Sequence, residues 1–323
     1  MQSLIQDVFL KAFSNSWLSQ LRDSTVVPIE GRRLAVTTDS YVVRPIFFPG
    51  GDIGSLAVYG TVNDLAMSGA TPLYLTAGFI LEEGLALGTL EQVAHSMADA
   101  AREAGVSIVC GDTKVVDRGK GDQIFINTTG VGQVPSNIDI GPRRVQPGDR
   151  ILVSGDAGAH GIAVMSAREG LSFASDIVSD SAPLHRVVAG LLEQGVSIHC
   201  MRDLTRGGLA SALNELAESS KQKFMIDESR IPIQEPVHGA CEVLGLDPLY
   251  VANEGRFVLF VPANEREKAL TILHRHVVSE RATDIGEVVS SPTPLSPPVT
   301  LRTIVGTHRI LDLLSGEQLP RIC

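Results

Sequence analysis

The 323-residue sequence contains no Cys-x-x-Cys pair and no histidine at zinc-finger spacing; its four cysteines, Cys110, Cys200, Cys241 and Cys323, lie far apart. That dispersal gives no support for a structural zinc site and fits a reduced, cytoplasmic protein. No apolar run approaches the length of a membrane span. The opening residues Met1 to Asp7 lack a basic n-region, and Asp7 and Lys11 interrupt the apolar pattern, so the segment reads as an amphipathic helix rather than a signal peptide. Positive charge is scarce. With 27 Lys and Arg against 37 Asp and Glu, the formal net charge is -10, which argues against a general nucleic-acid or anionic-membrane surface. The same balance is compatible with a site that collects divalent cations. There is no GxxxxGK[ST] P-loop and no GxGxxG after the first strand, so neither a P-loop NTPase nor a Rossmann enzyme is supported.

What is present is enough chain, at 44% hydrophobic, for two domains with proper cores. Leu34 to Thr38 reads as a strand ending in Asp39-Ser40, and the turn Pro49-Gly50-Gly51-Asp52 precedes a helix through Leu56, Tyr59 and Leu65. A strand from Leu73 to Leu81 is followed by a helix from Thr89 to Glu103, closed by Gly105, and by a β-rich run from Val106 to Cys110 that ends in Gly111-Asp112. Near Val145 to Asp149 the pattern restarts: a strand from Arg150 to Ser154, then a glycine-bearing loop into a helix around Gly161 to Glu169. A further helix follows Asp203 to Gly208, and a strand covers Arg256 to Val261. Ser290 to Pro298 reads as a connector before a last strand, Val299 to Val305. The expected organisation is a first α/β domain over 1–145, a second over 146–310, and a tail over 311–323.

Asp39, Asp64, Asp112 and Asp203 each lie beside small or polar residues near the expected edge of an element. Magnesium prefers oxygen ligands, keeps several waters, and is presented to substrate phosphates by a few carboxylates, so these four would make a metal-nucleotide site if they converge. Singly, each also reads as a turn or helix cap. Glycine-rich turns at Gly50-Gly51, Gly155 to Gly161 and Gly207-Gly208 could offer backbone N–H groups to phosphate oxygens. Lys114, after Gly111-Asp112-Thr113, could steady a transferring phosphoryl group or simply face solvent. Glu254 could serve as a base or pair with Arg256. His160, His185, His199 and His238 have no metal spacing.

The chain ends Leu319-Pro320-Arg321-Ile322-Cys323, placing a thiol on its last residue. Chain ends are poor places to hold a reacting atom but good places for a carrier, and a terminal cysteine can equally be an accident of a frayed tail. Pro320 favours an extended arm, and residues 311 to 323 could span on the order of 40 Å. Because an ordinary thiol is mostly protonated at neutral pH, Cys323 would need an already activated electrophile.

Together, Thr38 to Tyr41, Phe48 to Gly54, Asn63 to Ala70, Gly78 to Gly84, Gly111 to Val116, Asp203 to Gly208, Ala252 to Arg256 and the ending Pro320 to Cys323 resemble the HypE family of hydrogenase maturation factors, the carbamoyl dehydratases. The resemblance covers nearly the whole chain. The ending Pro-Arg-Ile-Cys separates that family from the related aminoimidazole ribonucleotide synthetases, thiamine-phosphate kinases and selenophosphate synthetases. Members begin with a short strand and a His-Gly-Ser-Gly-Gly loop, whereas this sequence starts at the helix that would follow.

The resemblance implies a two-domain, mixed α/β, aminoimidazole ribonucleotide synthetase-like fold whose first domains form a dimeric β-barrel, with a mobile C-terminal tail and with ATP between the domains. It implies that a carbamoyl-adenylate-forming partner loads Cys323 with an S-carboxamide. ATP-dependent dehydration then gives a thiocyanate, and cyanide passes to an iron-carrying scaffold complex. Carried over by position, Asp39, Asp64, Asp112 and Asp203 would hold Mg2+, with Ser40, Thr113, Thr205, Arg206 and Gly207 also contacting nucleotide. Lys114 would assist phosphoryl transfer, and Glu254 would take a proton from the carboxamide. The alternatives are a selenophosphate-synthetase-like phosphotransferase, for which an N-terminal reactive residue is missing, and an ATP-binding scaffold whose tail only docks partners.

Overall fold

The computed structural model describes residues 23–171, 176–290 and 298–313. The expected N-terminal amphipathic helix, most of the Ser290 to Pro298 connector, and Cys323 lie outside these residues. In chain order the elements are β1 (Thr25–Ile29), β2 (Arg32–Tyr41), β3 (Phe47–Phe48), β4 (Gly51–Asp52), α1 (Ile53–Met67), β5 (Thr71–Glu82), α2 (Leu87–Ala104), β6 (Ser107–Val116) and β7 (Ile124–Gln133). They continue with β8 (Asp149–Val153), α3 (Ala159–Glu169), α4 (His185–Glu193), β9 (Cys200–Asp203), α5 (Gly208–Ser220), β10 (Lys223–Asp227) and α6 (Glu235–Leu244). The last are β11 (Phe257–Pro262), α7 (Arg266–Leu273), β12 (Thr283–Val289), β13 (Val299–Arg302) and β14 (His308–Ile310).

Two mixed sheets organise these elements. The first has the order β1-β2-β7-β5-β6, antiparallel except for β5 and β6, which run parallel and are joined by the crossover helix α2. The second has the order β14-β13-β10-β12-β8-β11-β9 and is antiparallel except where β10 meets β13. Gly111-Asp112, expected to end a strand, instead continues β6 to Val116, because Ala77 to Glu82 of β5 supply an unbroken parallel partner for Gly111 to Val116. The last strand is shorter than expected: β13 stops at Arg302, and a turn through Gly306 returns the chain as β14.

Helix α1 explains how the two sheets are held together. Its start follows from local chemistry: the Asp52 carboxylate accepts from the Gly54 and Ser55 amides at 2.6 and 3.1 Å, while the Ser55 hydroxyl accepts from the Asp52 N–H at 3.1 Å. Twelve of its 15 residues are buried, so it has no solvent face. Leu56, Ala57 and Val58 pack with the first sheet and α2; Ala66 and Met67 pack with Leu184, Val188 and Leu259 of the second half. Each large apolar side chain so buried stabilises by about 1.5–3 kcal/mol. Helix α2, by contrast, buries one stripe, Val93, Met97, Ala100, Ala101 and Ala104, and closes on Gly105 at φ 68°, a left-handed cap whose N–H bonds to Ala101 and Arg102 carbonyls.

Candidate active site

The pleat of β2 decides which of the sequence-selected residues meet. Ala35, Thr37, Asp39 and Tyr41 alternate onto the face that looks at α1, where Thr37 donates to Asp64 Oδ2 at 2.8 Å. Tyr41 Oη lies 3.2 Å from Thr61 Oγ1, and Thr61 in turn contacts Thr128. Gly60 is needed there, because a Cβ would sit 2.4 Å from the Tyr41 hydroxyl. Neither Asp39 nor Asp64 caps a helix: Asp39 lies within β2 and accepts its neighbour's amide, Ser40 N–H, at 2.7 Å, and Asp64 lies inside α1.

The second half contributes Asp203, at the end of β9, and Glu254, on the irregular turn before β11; both are buried. The group is strongly electronegative. Burial, then the charges of Asp203, Asp23 and Asp39, push the Asp64 carboxyl well above the carboxylate range. Burial and Asp23 raise Asp203 to about 8, against a smaller opposing effect of Arg202. Asp39 is raised by desolvation, partly offset by the Ser40 amide. Burial raises Glu254 well above its ordinary value, helped by Asp203, Asp39 and Asp180 and opposed by Arg206. Glu254 Oε1 is buried without a hydrogen-bond partner among the described residues, and Glu254 is not an ion-pair partner of Arg256, which donates instead to the Gly255 and Val278 carbonyls at 2.9 Å.

Several contributors carry no sequence signature. Asp23 pairs with Arg202 Nε at 2.7 Å, and Arg202 also reaches Glu215 at 2.8 Å. Asn63 is buried; its Nδ2 donates to the Ala182 and Glu254 carbonyls at 3.1 and 3.2 Å, and its Oδ1 accepts from Leu184 N–H at 2.8 Å. It thus ties the helix bearing Asp64 to the turn bearing Glu254. Its place beside Asp64, at the head of the family-like stretch Asn63 to Ala70, was its one hint of a role.

Ser40, Asp112, Thr113 and Lys114 are not in this group. Ser40 pairs with Asn127, Asn127 with Gly78 and Gly78 with Asp112, one row across the sheet, and the pleat turns Ser40 away from Asp39. Its hydroxyl accepts from Asn127 Nδ2 at 2.9 Å. Asp112 and Lys114 stand on the edge strand β6, each 70% exposed, with Lys114 Nζ 2.8 and 2.6 Å from the two Asp112 oxygens. That contact, above all, holds the Asp112 carboxyl below the usual range. Thr205 accepts Gly208 N–H at 3.0 Å through its carbonyl; Gly207, at φ 74°, opens α5, and exposed Arg206 projects beside them.

Among the described residues, no three His, Cys, Asp or Glu side chains close into a cage that could hold a metal unaided. The crowding of Asp64 and Asp203, each raised by burial and then by acidic neighbours that include Asp39, nevertheless suits a divalent cation, which would relieve that repulsion. Magnesium binds through one or two carboxylates and completes its shell with water and phosphate oxygens. The residues therefore fit magnesium carried with a nucleoside triphosphate.

Residues 21–134 match the family described as AIR synthase related protein, N-terminal domain, and residues 146–294 match the AIR synthase related protein, C-terminal domain. The carbamoyl dehydratase HypE of Azotobacter vinelandii is 52% identical over 323 residues, covering 100% of this chain and 94% of that protein. The chain belongs to the HypE family. A crystal structure of the hydrogenase maturation protein HypE in complex with ATP superposes with a TM-score of 0.87 at 50% identity, covering 100% of this chain and 96% of that one. The HypE chain of a HypE–HypF complex gives 0.90 at 47% identity, with 96% and 99% covered. The mixed α/β, AIR synthase-related fold expected of a HypE family member is the fold found. Among the described residues no helix is long and apolar enough to cross a membrane.

Proposed function

We propose that this chain carries out the HypE reaction: ATP-dependent dehydration of an S-carboxamide on Cys323 to a thiocyanate, whose cyanide is passed to the iron of a [NiFe] hydrogenase precursor. The observation that carries this reading is the convergence of Asp39, Asp64, Asp203 and the buried Glu254 from four distant segments. It is set beside the HypE relatives solved with ATP and with HypF. HypF is taken as the partner that loads the thiol, and the active unit as a homodimer. We place the reaction in the cytoplasm, where thiols stay reduced.

In this reading Asp39, Asp64 and Asp203 would hold magnesium, which supplies neutralisation of the triphosphate's charge. The carboxamide oxygen attacks the γ-phosphorus of ATP and ADP leaves, turning that oxygen into part of a phosphate leaving group. Glu254 takes a proton from the carboxamide nitrogen as the carbon–oxygen bond breaks, and phosphate departs with the oxygen. The other nitrogen proton has by then been lost to solvent, as the phosphorylated intermediate formed, so the thiocyanate keeps none. Arg206, whose charge acts on both Asp39 and Glu254, would offer its exposed guanidinium to the triphosphate. Asp112 and Lys114 lie on the free edge β6, so we assign them to a site completed by the second protomer, reached where that edge meets its partner.

Intact-protein mass spectrometry tests the reading. After incubation with the carbamoyl-donating partner, the chain should gain the mass of HNCO, then lose one water when Mg-ATP is added. Cys323→Ala should not load; Glu254→Gln should load and stall. A loaded Cys323→Ala refutes the carrier, and normal dehydration by Glu254→Gln refutes the base.

A further inference from the structure

Glu254 lies on a turn without regular secondary structure, where a base cannot be held in place by a helix or a ladder. Side chains do that work. The Glu254 N–H donates to Asp180 Oδ1 at 3.3 Å and the Gly255 N–H to Asp180 Oδ2 at 3.1 Å; the Glu254 carbonyl accepts from Asn63 at 3.2 Å and the Gly255 carbonyl from Arg256 at 2.9 Å. All four backbone polar groups of the dipeptide are thus bound by side chains. Asp180 is the member that takes two of them.

Asp180 rides on the irregular strap 176–184, which is itself pinned at several points. Ser179 N–H donates to the Pro49 carbonyl at 2.8 Å, Ser179 Oγ lies 2.8 Å from His160 Nδ1, and Leu184 N–H donates to Asn63 at 2.8 Å. The strap lies so close to the turn that a Cβ on Gly255 would meet the Asp180 carbonyl oxygen at 1.9 Å. The Asp180 side chain is only 2% exposed, with Arg256 Nε 3.8 Å away. A buried carboxylate is costly to keep unless it is fully used, and here both oxygens are.

We propose that Asp180 is a positioning residue for dehydration: by gripping the Glu254 and Gly255 amides it holds the Glu254 carboxylate in one place relative to Asp39, Asp64 and Asp203. The proposal rests on the role given to Glu254 above. An amide at position 180 keeps the shape but directs an NH2 group at one of the two N–H donors, so one jaw of the grip opens. A misplacement of a base by about 1 Å costs roughly a hundredfold in rate.

The test uses the full-length homodimer loaded by its carbamoyl-donating partner, with single-turnover dehydration read by intact mass. Asp180→Asn should load normally and keep its KM for Mg-ATP and its unfolding midpoint, while the dehydration rate falls about 10- to 100-fold. In the Glu254→Gln background the same change should cause no further loss, because it acts through the residue already disabled. Should Asp180→Asn fail to fold, Asp180→Ser, smaller and still able to accept a hydrogen bond, carries the same comparison. Wild-type dehydration by a folded position-180 variant beside a slow Glu254→Gln overturns this proposal alone, as does a further loss in the double variant. Wild-type dehydration by Glu254→Gln overturns the underlying role of Glu254, and this proposal with it.

Discussion

Replacing Asn63 by alanine should damage stability and chemistry together. The side chain is buried and makes three hydrogen bonds, two as donor to the Ala182 and Glu254 carbonyls and one as acceptor from Leu184 N–H. Alanine leaves a buried N–H with no acceptor and removes the side-chain donor from two carbonyls. At about 1–3 kcal/mol for an unsatisfied buried group, with partial relaxation at the carbonyls, the total cost is about 2–5 kcal/mol. For a chain of this size, at about 2.1 cal/mol/K of unfolding entropy per residue, each kcal/mol lowers the unfolding midpoint by about 1.5 °C, so Asn63→Ala should unfold roughly 3–8 °C earlier. The assay is thermal unfolding at fixed protomer concentration without nucleotide, since dimerisation and ligands both move the midpoint. Single-turnover dehydration, measured well below the lowered midpoint, should also slow, because the Glu254 carbonyl loses its tether. A midpoint within about 2 °C of wild type would refute the claim that Asn63 joins the two halves.

Stability should also depend on pH in a particular direction. Asp203 is raised to about 8 and Asp23 to about 6, burial being the leading cause in both, so the folded state holds protons that the unfolded chain releases near its ordinary value of 3.8. Stability from these groups is complete below that value and is lost as pH rises through 6 and 8. The unfolding midpoint of the nucleotide-free protein should therefore fall between about pH 5 and 8, and Asp203→Asn should flatten the decline; an unchanged slope in that variant would contradict the assignment. Mixing Lys114→Ala with Glu254→Gln should restore dehydration to about a quarter of wild type if random exchange gives half heterodimers with one intact site each. No recovery after verified exchange would return Lys114 to its own chain's site or remove it from the reaction.

The local grammar of the chain specified its elements well wherever a cap or a terminator was present. Asp52 before Ile53 announced α1, and Gly105 closed α2. The Gly111-Asp112 pair misled because such a pair usually turns a chain, and the parallel partner that keeps it extended lies more than 30 residues earlier in β5. The same distance problem hid half of the candidate site. Asp39, Asp64, Asp203 and Glu254 stood out as carboxylates in a recognisable setting, but Asn63 finds Glu254 across 191 residues and Asp180 finds it across 74. Nothing in the local sequence of either residue encodes that meeting. Strand periodicity does divide Ser40 from Asp39, but it does not say which of the two faces the site; the helix that covers one face decides that.

Helix α1 contributes Leu56 to the core under the first sheet, Met67 to the core shared with the second half, and Leu65 to a third cluster with Val26 and Ala35. A rod built into three cores cannot act as a hinge pin, since turning either sheet about it would tear packed side chains from at least one of them. Access for a nucleotide then does not come from one half swinging away from the other. The two sequence-matched halves would also unfold as a single cooperative unit, so an isolated first half would lose the packing that keeps its central helix dry.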